Sequence, residues 1–334
     1  MIKDPYDDLV SASPQGSLFC RKWWLEAVAP GRHRILEVRR DRELVAAWPL
    51  VEEINGGGRN CVMPPLTQKL GILFRPSSAK YAESLSHQHE ATNCLIDQLP
   101  EYARFEHRFH ENFTNWLPFY WKNFHQTTRY TYLLPDLSSE EALWQEARPE
   151  CRKNIRKARK QGLRILEDFP VEDFINLHRL TFQRQAKAAP FDDEVIRRID
   201  LACAQRGQRQ VLAAADGRNR VHAAIWFAWD GGTAYYLMMG SEPELRQSGA
   251  QKLLLWEAVQ RSRAFASRFD FEGSMLPSVE KNFRGYGSRQ TPYFVIYKDY
   301  RTASPASPAL PAAGLAQRAG RRIRRSWRVL LGRE

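Results

Sequence analysis

The stretch Thr233–Lys298 constrains the fold of this 334-residue chain most, because strand and helix signals alternate within it. It opens with the aromatic and apolar run T-A-Y-Y-L-M-M-G, which suits a buried strand. A loop follows, and Ser248 is predicted to cap the next helix. Apolar residues at spacings of three and four predict a helix over Ala250–Ala266, and R-F-D-F-E predicts a short strand over Arg268–Glu272.

Two acidic residues share one face of that short predicted strand. Side chains alternate along a strand, so Phe269 and Phe271 face one side while Asp270 and Glu272 face the other, roughly 6–7 Å apart. Neighbouring carboxylates push each other's ionisation apart, which prepares one of them to accept a proton. The pair therefore indicates a site, with Glu272, nearest the strand end, as the first candidate for a general base and Asp270 as the second. The alternative is a pair of solvated charges on an edge strand.

Several motifs carry a resemblance to a known superfamily. The order strand, Arg-x-x-Gly loop (Arg246 to Gly249) and helix resembles the acyl-coenzyme A pyrophosphate loop of GNAT acyltransferases. The blocks D-F-E-G-S, K-N-F-R-G-Y-G-S and P-Y-F-V-I-Y-K resemble the FemABX-like branch of aminoacyl- and acyltransferases. Gln251 stands where the loop pattern has a small residue, which leaves aminoacyl-tRNA open as a donor beside acyl-coenzyme A.

The resemblance extends over residues 17–300. The segment Met63–Phe74 contains P-P-L-T-Q-K-L-G, and the segment starting at Arg152 reads R-K-N-I-R-K-A; both are similar to family segments. The family implies an α+β (mixed α/β) fold of two tandem GNAT-like domains, each a mixed, mostly antiparallel sheet flanked by helices. The chain is long enough for two cores. We place the domains at 1–135 and 136–300, followed by a tail at 301–334.

Candidate site residues follow from these motifs. The catalytic candidates are Glu272, Asp270 and Tyr236, the tyrosine as general acid to a leaving thiol or tRNA hydroxyl. A helix N-terminus binds pyrophosphate, and Lys and Arg bind phosphate or carboxylate. The candidates for binding the donor are therefore Arg246, Gly249, Ala250, Lys281 and Arg284.

The substrate side is predicted from a basic run and one aromatic residue. Six of the nine residues 152–160 are Lys or Arg, a density that a polyanion such as a nucleotide diphosphate, a lipid pyrophosphate or tRNA would neutralise. The alternative is a solvated helix face. The candidates for binding the substrate are Arg152, Lys153, Arg156 and Trp226.

The charge of the chain is concentrated in its tail. The net charge is +12, and from Arg301 onward eight Arg and one Glu contribute +7 of it. Residues 302–314 are rich in Pro, Ala and Ser and predict an extended linker. Residues 315–331 place Arg beside an apolar stripe, which predicts an amphipathic helix that binds an anionic membrane surface.

Other features exclude several classes of protein. Five scattered cysteines with no Cys-x-x-Cys predict reduced thiols, and the histidines lack the spacing of ligands, so no metal is predicted. No apolar run is long enough to span a membrane, and the N-terminus does not read as a signal peptide. We expect a cytoplasmic protein that binds peripherally to the inner membrane face.

The function expected from this pattern is transfer of an activated acyl group. The family resemblance implies an acyl-coenzyme A donor, with aminoacyl-tRNA as the alternative, and an amine or hydroxyl acceptor on a cell-envelope or polysaccharide precursor. Expected partners are that small-molecule or lipid-linked acceptor, tRNA, and an anionic membrane bound through the tail. Two alternatives stay open: an aminoacyl-tRNA-dependent, peptidoglycan-type ligase, and a catalytically degenerate GNAT scaffold that acts as a membrane-recruited adaptor.

Overall fold

One mixed sheet runs through the chain in the computed structural model, which describes residues 4–55, 57–183 and 191–300. Within these ranges the strand order is β1-β2-β3-β5-β12-β6-β11-β10-β9-β8-β7, and β4 pairs with β2. Most neighbouring strands are antiparallel; β3–β5 and β10–β11 are parallel. The strands are β1 His33–Arg40, β2 Glu43–Asn55, β3 Gly58–Val62, β4 Leu73–Phe74, β5 Arg104–Arg108, β6 His125–Leu134, β7 Arg164–Leu166, β8 Arg209–Ala215, β9 Val221–Asp230, β10 Thr233–Ser241, β11 Arg268–Asp270 and β12 Arg289–Asp299.

Helices cover both faces of this sheet. Short 3-10 turns at Leu18–Cys20 and Pro243–Ser248 precede α2 and α9. The helices are α1 Pro5–Ala12, α2 Lys22–Val28, α3 Tyr81–Asp97, α4 Leu117–Trp121, α5 Glu140–Glu146, α6 Pro149–Lys160, α7 Val171–Gln183, α8 Asp193–Ala204, α9 Ala250–Ser262 and α10 Pro277–Arg284.

The last strand of each half lies within the sheet of the other half. β6 pairs with β11 on one side and with β12 on the other, while β12 also pairs with β5. The predicted domain boundary at residues 135–136 falls between β6 and α5. The two halves are therefore joined by backbone hydrogen bonds as well as by the covalent chain.

Three buried clusters fill the space around the sheet. One lies under α1, α2, α7 and α8 and contains Trp24 and Trp226; we call its side of the sheet the α7 face. A second lies under α6, α9 and α10 and contains Trp256; we call its side the α9 face. The third, around Trp48, fills the N-terminal half under α3 and α4. Burying a large apolar side chain contributes about 1.5–3 kcal/mol each, so these clusters hold the sheet rigid.

The predicted α+β fold class is confirmed, with corrections at the ends of elements. β11 ends at Asp270, so the strand predicted over Arg268–Glu272 is too long; Glu272 has a φ of 60°, which a strand does not accommodate. α9 ends at Ser262, short of the predicted Ala266. The linker and basic helix predicted beyond residue 300 lie outside the described residues.

Candidate active site

An opening forms where two parallel strands separate. β10 and β11 pair over only three residues, Thr233–Tyr235 against Arg268–Asp270. β10 then continues along β9 as far as Ser241, whereas the chain beyond β11 follows β6, with the amide of Phe271 donating to the carbonyl of Tyr132 at 3.0 Å. The two backbones therefore part directly after Asp270.

A β-bulge turns β10 at this opening. The register between β10 and β9 shifts between Tyr236 and Met238, so that Leu237 is the extra residue. A bulge bends its strand and re-aims side chains, and bulges are common beside active sites. Leu237 and Met238 line a cavity of about 370 Å³, a size typical of small-molecule sites. Other walls of this cavity come from Thr67, Gln68, Arg108, His178 and Phe182.

Glu272 lies two residues beyond the end of β11 and is buried, with 6 % of its surface exposed. Neither of its carboxylate oxygens has a hydrogen-bond partner among the described residues. Burial, and then the nearby Asp270 carboxylate, raise the pKa of Glu272 well above its ordinary value. A buried polar group without a partner costs about 1–3 kcal/mol, and such a group in a native protein calls for an explanation.

The backbone around Glu272 is tightly constrained. Glu272 and Gly273 both have positive φ angles, of 60° and 57°. A Cβ atom on Gly273 would lie 2.1 Å from the carbonyl oxygen of Tyr130, so only glycine fits there. Left-handed conformations of non-glycine residues cost of the order of 1–3 kcal/mol and concentrate at functional sites. The packing against β6 therefore fixes the position of the Glu272 carboxyl.

Asp270, by contrast, is fully satisfied inside a buried network. Lys69 Nζ lies 2.5 Å from Asp270 Oδ2 and 2.9 Å from Glu111 Oε2. Thr131 Oγ1 donates to Asp270 Oδ1, and the amide of Glu272 donates to the same oxygen at 2.8 Å. Asp270 therefore accepts hydrogen bonds on both oxygens.

The charges in this network stabilise one another. Burial disfavours the ammonium form of Lys69, but the carboxylates of Asp270 and Glu111 outweigh it and hold the pKa of Lys69 well above its ordinary value. Burial likewise opposes ionisation of Glu111, yet the Lys69 charge lowers the pKa of Glu111 to about 2. Lys69 therefore joins Asp270 and Glu111 in one buried ion-pair network.

The predicted catalytic residues divide between the two faces of the sheet. The structure brings Asp270 and Glu272 together, while Phe269 and Phe271 lie in the α9-face cluster as the alternation predicts. Tyr236 packs with that cluster as well, edge-on to Phe283 with 5.8 Å between ring centroids, and burial raises its pKa. Tyr236 is therefore not on the side of the two carboxylates.

The predicted donor loop has the geometry of an anion site. Gly249 has a φ of 81° and precedes α9, whose first internal bond runs from the amide of Leu253 to the carbonyl of Gly249. Ser248 Oγ accepts from the amide of Ala250 at 3.3 Å, although the N-cap position itself is Gly249 and not the predicted Ser248. The next two amides of α9 precede the first internal donor and have no acceptor within the helix, an arrangement that suits an anion. Arg246 is exposed beside them.

The predicted substrate-binding residues have varied surroundings. Arg152 donates to the carbonyls of Trp144 and Gln145 at 3.0 and 2.9 Å, and the Arg156 guanidinium lies 5.3 Å from the centroid of the Trp144 ring. Lys153 is exposed on the same helix, α6. Arg152 and Arg156 thus anchor the helix to its neighbour.

Two further predicted residues are occupied by other contacts. Trp226 is a correction: its side chain is completely buried and donates from Nε1 to Asp200 Oδ1 at 2.8 Å, so it offers no surface to a substrate. Arg284 pairs with Glu280 at 2.8 Å, whereas Lys281 is exposed on α10.

Sequence reasoning missed Lys69 and Thr131, which contact Asp270, and Glu111, which pairs with Lys69. One signal could have found Lys69: it stands in the apolar segment Leu66–Phe74, where a buried cation requires a carboxylate partner. The sequence gives no sign of which acid that partner is. The described residues contain no group of three metal ligands and no helix that is long and apolar enough to cross a membrane.

A comparison with protein families identifies the second half of the chain. Residues 145–275 match the model of the acetyltransferase (GNAT) domain. The chain contains a GNAT acyltransferase domain. The matched segment includes the opening between β10 and β11 and ends three residues beyond Glu272. This confirms the prediction of an acyltransferase of the GNAT superfamily. No curated protein matches the chain in sequence.

The fold is shared with several solved structures. FemX has 14 % sequence identity and a TM-score of 0.67, over 88 % of this chain and 96 % of that one. A tandem GNAT protein from the clavulanic acid biosynthesis pathway has 13 % identity and a TM-score of 0.52, over 88 % and 93 %. L-PGS from Bacillus licheniformis has 10 % identity and a TM-score of 0.50, over 89 % and 92 %. At these identities the likeness is one of fold.

Proposed function

We propose that this GNAT protein transfers an activated acyl or aminoacyl group to an amine or hydroxyl of a cell-envelope or polysaccharide precursor, with Glu272 as the general base. The observation that carries the proposal is the buried, unpartnered carboxyl of Glu272 at the opening between β10 and β11. A raised pKa makes the carboxylate of Glu272 a stronger base than an ordinary glutamate.

The reaction needs one proton to be moved. The nitrogen or oxygen of the acceptor attacks the carbonyl carbon of the donor, and a tetrahedral oxyanion forms. Glu272 takes the proton of the attacking group, directly or through one water molecule. The intermediate collapses as the bond to the leaving thiol or ribose oxygen breaks, and the proton is passed to that leaving group.

Backbone amides near the end of β10 are the proposed donors to the oxyanion. Oriented amides stabilise the charge that develops in the transition state without having to reorganise. α7 lies directly against this segment, since a Cβ atom on Gly240 would be 2.5 Å from the amide nitrogen of His178. Burial lowers the pKa of His178 to about 4, so the imidazole that lines the cavity is neutral at pH 7. His178 therefore carries no charge that could stabilise the oxyanion, and the proposed stabilisation comes from the backbone amides.

Acyl-coenzyme A is the proposed donor, with aminoacyl-tRNA as the alternative. The free amides at the start of α9, with Arg246 beside them, suit the pyrophosphate of coenzyme A. The description of the tandem GNAT protein refers to a form without AcCoA, which supports acyl-coenzyme A as a donor. Another structural neighbour is described as the C-terminal domain of a putative lysylphosphatidylglycerol synthetase, which supports a lipid acceptor.

The basic tail is the proposed membrane contact. Residues 315–331 carry the charge pattern of an interfacial helix, which would hold the enzyme near lipid-linked acceptors. Deletion of 315–334 should abolish co-sedimentation of the full chain with anionic vesicles and leave transfer to a soluble acceptor intact. Unchanged sedimentation of the truncated protein would contradict this role.

The central test is a Glu272→Gln variant assayed with the donor that binds. Calorimetry of the full chain with acetyl coenzyme A and with charged tRNA identifies that donor. Loss of a general base lowers kcat by about 10²–10⁴, while donor affinity stays the same. Glu257→Gln, which removes a carboxylate paired with Arg159 on the surface, is the matched control. Wild-type turnover by Glu272→Gln would refute the assignment, and donor binding without any turnover would favour the adaptor.

A further inference from the structure

Two arginines flank one tyrosine on the central strands of the sheet. Arg108 is the last residue of β5, and Arg129 lies in the middle of β6. β12 runs between these strands, and its Tyr293 pairs with Arg129. Arg108 pairs with Val295, two residues further along β12. Directly opposite and diagonal neighbours of an antiparallel pair lie within about 8 Å on one face, so both arginine side chains lie beside Tyr293.

This face of the sheet also carries the acidic residues of the site. Thr131 follows Arg129 by two residues on β6, so the two side chains share a face. Thr131 Oγ1 donates to Asp270 Oδ1, and the amide of Glu272 donates to the same oxygen at 2.8 Å. Two residues of a strand span roughly 6–7 Å. A molecule only a few bonds long therefore reaches from Arg129 to Glu272.

The residues around the two guanidinium groups do not neutralise them. Arg108 Nε is buried and has no hydrogen-bond partner among the described residues. The only carboxylate within 4.0 Å of Arg108 in that part of the chain belongs to Glu106, 3.8 Å from Nη2, and it lies closer to Arg104, at 2.9 Å. Within the described ranges, Arg129 forms no hydrogen bond or ion pair. A buried charged donor without an acceptor is costly, so this pair calls for an anion.

The two positive charges act on each other and on Tyr293. Burial, and then the charge of Arg129, lower the pKa of Arg108. Burial raises the pKa of Tyr293, the two arginine charges oppose that rise, and the carboxylate of Glu272 adds to it. An anion between the arginines would remove their mutual repulsion and could accept a hydrogen bond from the tyrosine hydroxyl.

Arg108 also lines the 370 Å³ cavity and is the one charged side chain among its described lining residues. Most of that lining is apolar, including Phe182, Phe191, Leu237 and Met238. A cavity of this size encloses a small molecule, and a few polar groups in such a cavity fix the orientation of the ligand. An arginine in a mostly apolar wall therefore favours a ligand that carries an anionic group and an apolar part.

We propose that Arg108 and Arg129 bind an anionic group of the acceptor, a carboxylate or a phosphate, that lies a few bonds from the attacking amine or hydroxyl. This inference rests on the proposed function and narrows the acceptor to molecules whose negative charge is next to the nucleophile. Guanidinium groups match both anions with paired hydrogen bonds. With the anion held between the arginines, the neighbouring amine or hydroxyl reaches Glu272.

Calorimetry of the full chain at low salt with three short amines tests the site without any turnover. Phosphoethanolamine and β-alanine carry an anion close to the amine, whereas ethylamine carries none. We expect the wild type to bind the anionic amines and not ethylamine. Arg108→Met and Arg129→Met should each raise the Kd at least tenfold, because each removes charge-assisted hydrogen bonds to the anion. Arg108→Lys, which keeps the charge, should recover part of the affinity.

The matched control is Arg218→Ala, which removes an exposed arginine from the turn between β8 and β9 and should bind like the wild type. Thermal unfolding of each variant confirms that it is folded. Tighter binding of phosphoethanolamine would assign the site to a phosphate, and tighter binding of β-alanine would assign it to a carboxylate.

Three results would overturn the proposal. They are a wild-type Kd in folded Arg108→Met and Arg129→Met, equal binding of ethylamine and the anionic amines, and no binding of either anionic amine to the wild type. Glu272→Gln lacks the proposed base but keeps both arginines, so it should retain most of the affinity for the anionic amines. Failure of the catalytic proposal and failure of this one are therefore separable.

Discussion

Asp270 and Glu272 are two buried carboxylates two residues apart, and the fold treats them in opposite ways. Asp270 accepts hydrogen bonds on both oxygens, faces Lys69 at 2.5 Å and belongs to a charged network. The backbone amide of Glu272 donates a hydrogen bond to Asp270, but the carboxyl group of Glu272 has no hydrogen-bond partner in the described ranges. The carboxyl group of Asp270 is therefore engaged in structural contacts, whereas that of Glu272 remains available to a substrate.

The difference between the two carboxyl groups coincides with the point at which β10 and β11 separate. Asp270 is the last residue of β11 that pairs with β10, so it sits where the two halves of the chain are tied together by Lys69 and Thr131. Glu272 lies two residues beyond Asp270, where β10 no longer pairs with this segment of the chain. Functional sites keep an unsatisfied group only when the surrounding structure fixes it, and the Asp270 network supplies that support.

Breaking the network by Lys69→Met should produce the largest effect on stability. Removing one partner of a buried ion pair leaves the carboxylates of Asp270 and Glu111 unpaired, at a cost of about 3–5 kcal/mol in the free energy of unfolding. The depressed pKa of Glu111 contributes stability above its ordinary pKa of 4.5 that is lost as the pH falls toward 2, and this contribution disappears in the variant. Urea denaturation at pH 7 measures the loss. Lys160→Met is the control, and equal stability of the two variants would show that the network is not structural.

A smaller loss of stability is expected from Thr131→Val. The substitution removes one hydrogen bond to the Asp270 side chain, the partner of Lys69, and leaves the shape almost unchanged. Hydrogen bonds to charged groups contribute about 1.5–3 kcal/mol, so we expect a loss in that range by urea denaturation. Thr127→Val changes an exposed threonine on the same strand and serves as the reference. A loss no greater than that of the reference would mean that the Thr131 hydroxyl does not contribute to holding Asp270.

The sequence predicted the fold and the acidic pair because both depend on local patterns. The alternation in R-F-D-F-E placed Phe269 and Phe271 on one face and the acids on the other, as found. The left-handed turn at Glu272 was missed, since it arises from close packing of Gly273 against Tyr130 in a strand more than 140 residues earlier.

The partners of the acids could not be predicted for the same reason. Lys69 lies 201 positions before Asp270 in the chain, and no period or motif links the two. Trp226 was misassigned because an aromatic residue in a strand looks the same whether it faces a substrate or the core; its burial became clear only from α8, which supplies Asp200.

The smallest expected effect has the opposite sign: Glu272→Gln should stabilise the protein. The folded state raises the pKa of Glu272 above the unfolded value of about 4.5, so folding favours the protonated form. As the pH rises above 4.5 the unfolded chain loses its proton first, and the stability of the wild type falls until the pH passes the folded pKa. Glutamine does not titrate, so the variant is spared this loss and should be more stable than the wild type at pH 7. Melting curves at pH 4 and pH 7 should therefore differ little at the lower pH and favour the variant at the higher one, while Glu257→Gln shows no such divergence. The stability difference between the variant and the wild type should be larger at pH 7 than at pH 4. An equal difference at both pH values would mean that the folded state does not disfavour the ionised form of Glu272.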